Sequence, residues 1–471
     1  MASRVPGNIV DALARRLSDA LGTAAVDAGG PALVVRPQDE EGVATALRLA
    51  AEALEGGGSG GHSAVPSAGT TPGGRDGAGA IHLPPLLAIR GRGSKQAWGD
   101  LPEGVPIVLE TTGLRSGVRH DADDLVASAP AGLGWAEFQD QLGQAGQWVP
   151  LDPPLAGSAT VGGVVAAATS GPRRVANGAV RDLVIGARAV LPGGRVIAPG
   201  GRVIKNVAGY DLCKVLVGSF GGLAVITEVT FKVLPLPQCR GWVTADFTGL
   251  QAAHRAAMAA VNSVLQPSAV QILWTGGRVR VRVDVDGDEA VVARQVRDLE
   301  ALLAGAGVTA GAARAAGAAA AIEVAAEGPL PVADHRDLLG AVEAAPVSGC
   351  AVVRLGVPAA GLAAAWARAR EHLAPLDAAP LRADAAAGLM WWVLPGPPVE
   401  AGSPAAERLA EAVARLDADL RAWTGYAALE AGPTAAHRNL GSRPSAAAEL
   451  SRRVKAVFDP ANMLPSPRLG L

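Results

Sequence analysis

Apolar residues Ile9, Val10, Leu13, Leu17 and Leu21 recur at helical spacing near the start of the chain, with Arg15, Arg16 and Asp19 between them. That spacing predicts an amphipathic surface helix. A short apolar run at 32–36 reads as a strand ended by Pro37. A helix over 40–54 follows it, with Val43, Leu47, Ala50 and Leu54 on one face. The stretch 56–79 is dominated by Gly, Ser, Pro and Thr, a composition that cannot pack a core, and reads as a mobile surface insertion in which His62 is solvated. Order resumes at Leu86-Leu87-Ala88-Ile89, an apolar strand. Strand and turn signals then alternate up to Pro235 and Pro237, which mark a boundary. Beyond it, Val279-Arg280-Val281-Arg282-Val283-Asp284-Val285 alternates with period two, as a strand with one polar face does. A helix over 289–304 with Asp288 as N-cap comes next, and the strand-then-helix pattern recurs over 351–373. Such a lobe suits an antiparallel sheet with helices on one face.

These patterns divide the chain into an N-terminal helix (1–30), a first lobe (31–238, interrupted at 56–79), a second lobe (239–445) and a C-terminal helix and tail (446–471). The 471 residues suffice for two or three lobes. Forty-two basic and 44 acidic residues nearly cancel, which removes the electrostatic reason to expect a nucleic-acid partner or an anionic membrane surface. No run of about 20 strongly apolar residues predicts a membrane span. Cys213, Cys239 and Cys350 are odd in number and far apart, which argues against a disulfide framework, an iron–sulfur cluster or a structural zinc site, so no metal is expected and a reducing cytoplasm is the simplest compartment.

Three segments carry candidate chemistry. The first is Arg90-Gly91-Arg92-Gly93-Ser94-Lys95, directly after a strand. Its glycines allow backbone N–H groups to surround an anion such as a pyrophosphate, with Arg92 and Lys95 adding positive charge. The dinucleotide fingerprint of NAD enzymes needs a third glycine and then a helix; Gln96 and Trp98-Gly99-Asp100-Leu101-Pro102 supply neither. The second runs from Pro150-Leu151-Asp152 through Thr160, Gly162 and Gly163 to Ser170 and Gly171, small residues against which a flat ring or phosphate can lie. The third joins Tyr210 and Asp211 to the strand that contains Val225 and Ile226, through Gly218-Ser219-Phe220-Gly221. Taken singly, these segments also read as a surface turn, a tightly packed helix start and a core strand.

Their order and spacing together resemble the vanillyl-alcohol-oxidase / p-cresol-methylhydroxylase (PCMH-type) family of FAD proteins, and within it the FAD-binding subunits of glycolate oxidase. The Arg-Gly-x-Gly-Ser-Lys loop carries the match, with Pro-Leu-Asp-Pro-Pro before Ala-Thr-Val-Gly-Gly, and Asn-Val-Ala-Gly-Tyr-Asp-Leu before Gly-Ser-x-Gly. Ser170-Gly171-Pro172-Arg173-Arg174, Val180-Arg181-Asp182, Arg36-Pro37-Gln38 and Phe458-Asp459-Pro460 agree with it, so the resemblance covers 30–238 and the C-terminal end. It implies an α+β fold: a PCMH-type FAD-binding domain of two subdomains plus an α+β cap lobe. It also implies that Gly91, Arg92, Gly93, Ser94 and Lys95 wrap the FAD pyrophosphate. Pro150, Leu151, Asp152, Thr160, Gly162, Gly163, Ser170 and Gly171 would lie along the flavin and its ribityl chain. Tyr210 and Asp211 would close near the cofactor, and Val225 and Ile226 would meet the adenine.

Several departures shape the expected function. Relatives that attach flavin covalently place a His in the glycine loop; Ser94 and Lys95 stand there, so FAD is expected to be non-covalent. Phe220 interrupts the usual Gly-Ser-Glu-Gly, Ala224 replaces a common glycine, and a late Asn-Pro-Gly reads Pro465-Ser466-Pro467. The second lobe lacks the His-rich Gly-Asp-Gly-Asn motif of related D-lactate and glycolate dehydrogenases. Among His254, His335, His372 and His437, only His437, with Asn439 nearby, suggests an active-site role, and Arg438 and Arg354 are the candidate anion-binding arginines. The acidic run Asp284-Val285-Asp286-Gly287-Asp288 reads as a solvated turn. The resemblance implies an FAD-binding subunit of a complex that oxidises small 2-hydroxy acids, glycolate to glyoxylate, mainly at a sister flavoprotein subunit, with an iron–sulfur subunit taking the electrons. It would be cytoplasmic, with any membrane association peripheral and through those partners. A self-sufficient FAD dehydrogenase of another hydroxy acid and a cofactor-free interaction subunit of the same fold are the alternatives.

Overall fold

In a computed structural model, the described residues are 7–56, 86–96, 105–203, 211–275, 278–305, 322–325, 351–394, 403–431 and 446–465. The 56–79 insertion lies, but for its first residue, outside them.

The first lobe opens with helix α1 (Gly7–Leu21), which buries Leu13 and Leu17, and a four-stranded sheet. Its strands are β1 (Val26–Asp27), β2 (Leu33–Val35), β3 (Leu87–Arg90) and β4 (Ile107–Glu110), in the order β1-β2-β4-β3. β2 and β3 both run parallel to β4, with Leu33 and Leu87 flanking Ile107. Parallel strands need crossover connections, and helix α2 (Glu40–Gly56) supplies one. It buries Val43, Leu47 and Ala50 at the predicted 3.6-residue spacing.

A five-stranded antiparallel sheet completes this lobe. It contains β5 (Arg119–Asp121), β6 (Val126–Pro130), β7 (Val184–Val190), β8 (Val196–Ile197) and β9 (Val225–Lys232), in the order β5-β6-β9-β7-β8. Trp135 and Phe138 of helix α3 (Trp135–Gly143) meet Phe231 of β9 edge-on and tilted, each with its centroid 5.9 Å from that ring, in the core under this sheet. Val190 and Val225 instead join the core of the four-stranded sheet, so the two sheets share a boundary at the end of β9.

The second lobe is one eight-stranded antiparallel sheet. Its strands are β10 (Cys239–Phe247), β11 (Ala269–Thr275), β12 (Arg278–Gly287), β13 (Ile322–Ala325), β14 (Ala351–Gly356), β15 (Ala379–Asp384), β16 (Leu389–Leu394) and β17 (Tyr426–Ala431). They are ordered β13-β10-β12-β11-β15-β16-β14-β17. Alternate residues Val279, Val281, Val283 and Val285 of β12 face the core with Val270 and Ile272 of β11. Leu299 covers them from helix Glu289–Gly305, and Leu373 and Leu416 of helices Leu362–Leu373 and Pro404–Arg421 join the same core. The other sheet face carries Arg, Asp and Trp and meets the first lobe.

The C-terminal segment returns to the first lobe. Buried Lys455, on helix Ala446–Phe458, bonds the Asp459 carboxylate and the carbonyls of Gly222 and Leu464 at 2.7 and 2.9 Å. Asp459 also accepts from the N–H groups of Met463 and Leu464 at 2.9 and 2.8 Å. Leu87 N–H donates to Met463 O at 3.0 Å, which ties this tail to β3 just before the glycine loop.

Candidate functional site: a glycine-lined cleft between the two sheets of the first lobe

β3 ends at Arg90, and Glu110 on β4 holds it through a 2.6 Å ion pair while also binding Arg36 at 3.0 Å. Burial raises the Glu110 carboxyl, but hydrogen bonds from Thr112, Arg90 and Arg36 outweigh it and keep the group ionised and below its usual range. The next residue, Gly91, lies against Thr160; a Cβ there would come within 2.4 Å of Thr160 Oγ1. Gly93 has φ +79°, a left-handed conformation that suits glycine.

Thr160 caps helix α4 (Val161–Ala166), its Oγ1 accepting from Gly163 N–H at 3.1 Å. Gly162 N–H donates to Ala131 O at 2.8 Å, and a Cβ on Gly162 would strike the Ala131 side chain at 2.7 Å. The helix-start and the ligand-surface readings of this segment therefore describe the same residues. At the other end of α4, a turn with positive φ at Gly218, Phe220 and Gly221 donates Gly218 N–H to Val165 O at 3.1 Å and Phe220 N–H to Ala166 O at 2.8 Å. This turn closes the helix and brings Phe220 to the cleft.

The cleft opens to solvent, with about 80 Å³ of cavity volume within about 640 Å³ of empty space. Gly91, Arg92, Gly93, Ser94 and Lys95 form one wall, Thr160, Gly162 and Gly163 the floor, and Ile226 lines it from β9. Motif reading missed Thr111, a common residue that gave no signal; Ala166 and Ala167 of the small-residue run line the cleft, as do Phe220 and Ala224, noted only as departures. Lys95 is 7% exposed. With Arg92 it provides two cations beside a bare, glycine-rich backbone, which fits a diphosphate. Bare floor positions at Gly162, Gly163, Ala166 and Ala167 leave room for a planar group.

Other expected site residues lie elsewhere. Val225 is fully buried in the core, and Asp211 is exposed and pairs with Lys214 at 3.8 Å. Ser170 Oγ accepts from Val180 N–H at 3.0 Å and so holds the start of the short helix Val180–Leu183. Leu151 is buried in the core, and Pro150 too is buried. Tyr210, His437 and Arg438 lie outside the described residues, as do His335 and Cys350. His254 and His372 serve structure, bonding Ala359 O and Asp419, each at 2.9 Å.

Asp152 and Gly171 belong to the junction between lobes. A Cβ on Gly171 would meet the Asp152 carbonyl and carboxylate at 2.1 Å. Arg173, 3% exposed, donates its N–H to Asp152 at 3.3 Å and its guanidinium to Asp286 of β12 at 2.6 Å. Arg173 and Arg240 both lie over the Trp148 ring, at 5.6 and 4.7 Å. Burial lowers the Arg240 guanidinium to about 10 and raises the Asp152 carboxyl to about 6 against the pull of Arg173. Burial likewise pushes Asp384 of β15 up to about 7, against the pull of the Ala387 N–H, Arg174 and Arg382. The acidic run is therefore not a solvated turn: β12 continues to Gly287, Asp284 is 6% exposed beside Arg282, and Asp286 clasps Arg173. Sequence spacing could not reveal this, because the partner cation lies 113 positions away.

Next to the junction, Phe220 packs on Val352 of β14 and Trp391 of β16. Arg354 shares the strand face of Val352, stands opposite Trp391, and lies 5.8 Å from the Tyr426 ring centroid. Arg382 lies over Trp391 at 4.3 Å. The polar face of the second sheet thus approaches the cleft through Phe220.

Two stacked α/β layers around a glycine-lined cleft, with a cap sheet over its mouth, define a PCMH-type FAD-binding fold. Residues 85–199 match the family described as FAD binding domain, and the chain carries such a domain, whose cofactor is FAD. It is similar to glycolate oxidase subunit GlcE of Escherichia coli (strain K12): 42% identity over 153 residues, 32% of this chain and 43% of that protein. It is also similar to the mitochondrial D-lactate dehydrogenase [cytochrome] of Arabidopsis thaliana, 36% identical over 32% of this chain and 26% of that one. Glycolate oxidase subunit GlcD of Bacillus subtilis (strain 168) is 26% identical over 47% of this chain and 50% of that one. The matches thus span half or less of each of these relatives. The solved structure of alkyldihydroxyacetonephosphate synthase shares the fold, with TM-score 0.61 and 16% identity over 92% of this chain and 76% of that one.

Proposed function

We propose that this chain is a flavoprotein subunit of a glycolate-oxidase-type complex that oxidises small 2-hydroxy acids, glycolate to glyoxylate. The observation that carries this reading is the cleft itself: a glycine loop flanked by Arg92 and Lys95, opening toward the arginine-bearing face of the cap sheet at Phe220. Arg92, Lys95 and the loop backbone would hold the FAD diphosphate, while Gly162, Gly163 and Thr160 would receive the rest of the cofactor. Bound FAD supplies a two-electron acceptor for the hydride of a hydroxy acid. The protein's part is to orient, to exclude water and to neutralise a substrate carboxylate. Arg354 stands on the correct sheet face for that last task.

FAD is held non-covalently in this reading, because no His, Cys or Tyr lines the cleft among the described residues. The partners are a sister flavoprotein subunit, which carries the main substrate oxidation, and an iron–sulfur subunit, which takes the electrons. Cys213, Cys239 and Cys350 stand far apart in the sequence with no CxxC pair, so this reading places the cluster in a partner. No described helix is long and apolar enough to cross a membrane; the complex is assigned to the cytoplasm or its membrane face through partners.

The test is a visible spectrum of the purified chain before and after acid precipitation, then glycolate turnover with and without the partner subunits. Yellow colour released into the supernatant, with little turnover by the chain alone, is the expected outcome. Robust turnover by the isolated chain would instead favour a self-sufficient dehydrogenase, for which Arg354 is the observation in hand. Protein that stays colourless after FAD is added would point to an interaction subunit in which Phe220 and Ala224 have replaced cofactor contacts.

A further inference from the structure

The second sheet has a second concave feature on its helix side, facing away from the flavin cleft. There, helices α5 (Leu250–Val261) and α6 (Leu362–Leu373) overlie the β11–β12 hairpin and the start of β15. Between them lies an open groove of about 850 Å³. Trp274 has the same strand parity as Val270 and Ile272, so it stands on the helix-covered face, whereas Gln271 and the junction with the first lobe lie on the other.

The charge of this groove is unbalanced. Arg255, Arg278 and Arg370 line it and no Asp or Glu does. Arg255 and Arg370 are exposed and have no carboxylate partner among the described residues. Arg278 has only Asp246, at 3.9 Å, and that carboxylate already accepts from Arg280 at 2.7 and 3.0 Å. Helix α5 starts here at Gly249 with no side-chain cap and no acidic residue in its first turn, so its positive end adds to the arginines. Aromatic surface accompanies the charge. Trp274 and Trp366 are half-buried in the walls, Arg370 lies 5.5 Å over the Trp366 ring, and the buried Trp366 indole N–H has no acceptor among the described residues.

We propose that this groove binds a phosphorylated nucleoside, with its phosphates on Arg255, Arg370 and the start of α5 and its heterocycle against the tryptophans. Arginine clusters and helix N-termini select phosphate, and indole faces select planar rings. The volume falls in the usual range for small-molecule sites, about 300–1,000 Å³. A peptide strand is disfavoured, because β11 is paired on both edges, to β12 and β15, and offers no free backbone edge.

The experiment uses the full chain saturated with FAD. ADP, pyrophosphate and adenosine are titrated by calorimetry while flavin fluorescence reports any loss of FAD. Three variants are compared with wild type: the double variant R255A/R370A, W274L, and R195A as a surface control away from the groove. The expected result is saturable ADP binding, at least about tenfold tighter than pyrophosphate, with FAD retained. R255A/R370A weakens it by at least about tenfold, and W274L weakens ADP but not pyrophosphate. The proposal is overturned if no ADP binding is seen up to about 5 mM, or if pyrophosphate binds as well as ADP. It is equally overturned if R255A/R370A binds like R195A, if ADP binds only by releasing FAD, or if a polyglutamate peptide occupies the groove more tightly than ADP.

Discussion

Replacing Asp384 by asparagine should flatten the pH dependence of folding. Asp384 is 3% exposed at the lobe junction, and burial raises its carboxyl from the ordinary 3.8 to about 7. A carboxyl raised in the folded state prefers its neutral form there. The stability it leaves intact below about pH 4 is therefore lost as pH rises through about 7. Between about pH 5 and pH 8.5 the unfolded chain is already ionised, while the folded chain gives up its proton about two units later than pH 5. At about 1.4 kcal/mol per unit, that removes about 3 kcal/mol of stability. Asp152, raised to about 6, should lose about 1 kcal/mol over the same window and still titrates in the variant. The amide introduced by Asp384→Asn cannot titrate, yet its carbonyl oxygen remains an acceptor for the Ala387 N–H, which lies 3.2 Å from the wild-type carboxylate. Urea unfolding at several pH values, followed by tryptophan fluorescence and circular dichroism together, measures both curves. Wild type should fall by roughly 3–4 kcal/mol across the window and Asp384→Asn by about 1. Parallel curves, within about 0.5 kcal/mol, would refute the claim that this buried carboxyl governs the slope.

Three further outcomes follow from the same geometry. Gly91→Ala places a methyl 2.4 Å from Thr160 Oγ1, so the chain should fold but bind FAD at least about tenfold more weakly, read by flavin fluorescence quenching; unchanged affinity would remove this loop from the cofactor site. Lys455→Met leaves the fully buried Asp459 carboxylate without its cation and should cost about 3–5 kcal/mol in unfolding measurements, with release of the tail from β3 seen by limited proteolysis. Gln271 is fully buried with neither amide atom hydrogen-bonded among the described residues, so Gln271→Leu should be neutral or raise stability by about 1–2 kcal/mol; a clear loss would indicate an ordered water bonded to the amide.

Local patterns reached far into this protein. The alternation in β12, the 3.6-residue spacing in α2 and the proline stops marked the elements, because strand and helix periods depend on neighbours a few positions apart. The glycine loop was legible for the same reason, since backbone freedom is a local property of Gly91 and Gly93. Thr160 announced itself as hydroxyl and helix start together, and the structure uses it as both cap and cleft floor. The tertiary structure decided what these elements meet. Asp152 and Gly171 lie in motifs that read as cofactor contacts, and folding sets Gly171 against Asp152 and Asp152 against Arg173 at the lobe junction. Asp284 and Asp286 read as a solvated turn because charges ordinarily seek water; instead Asp284 is buried beside Arg282, and Asp286 is partly buried where Arg240 and Arg173 pair with it. Phe220, which read as a departure, joins the cleft to the cap sheet. The Arg173–Asp286 pair and the packing of Phe220 on the cap sheet bring together residues more than a hundred positions apart, and no period in the sequence records them.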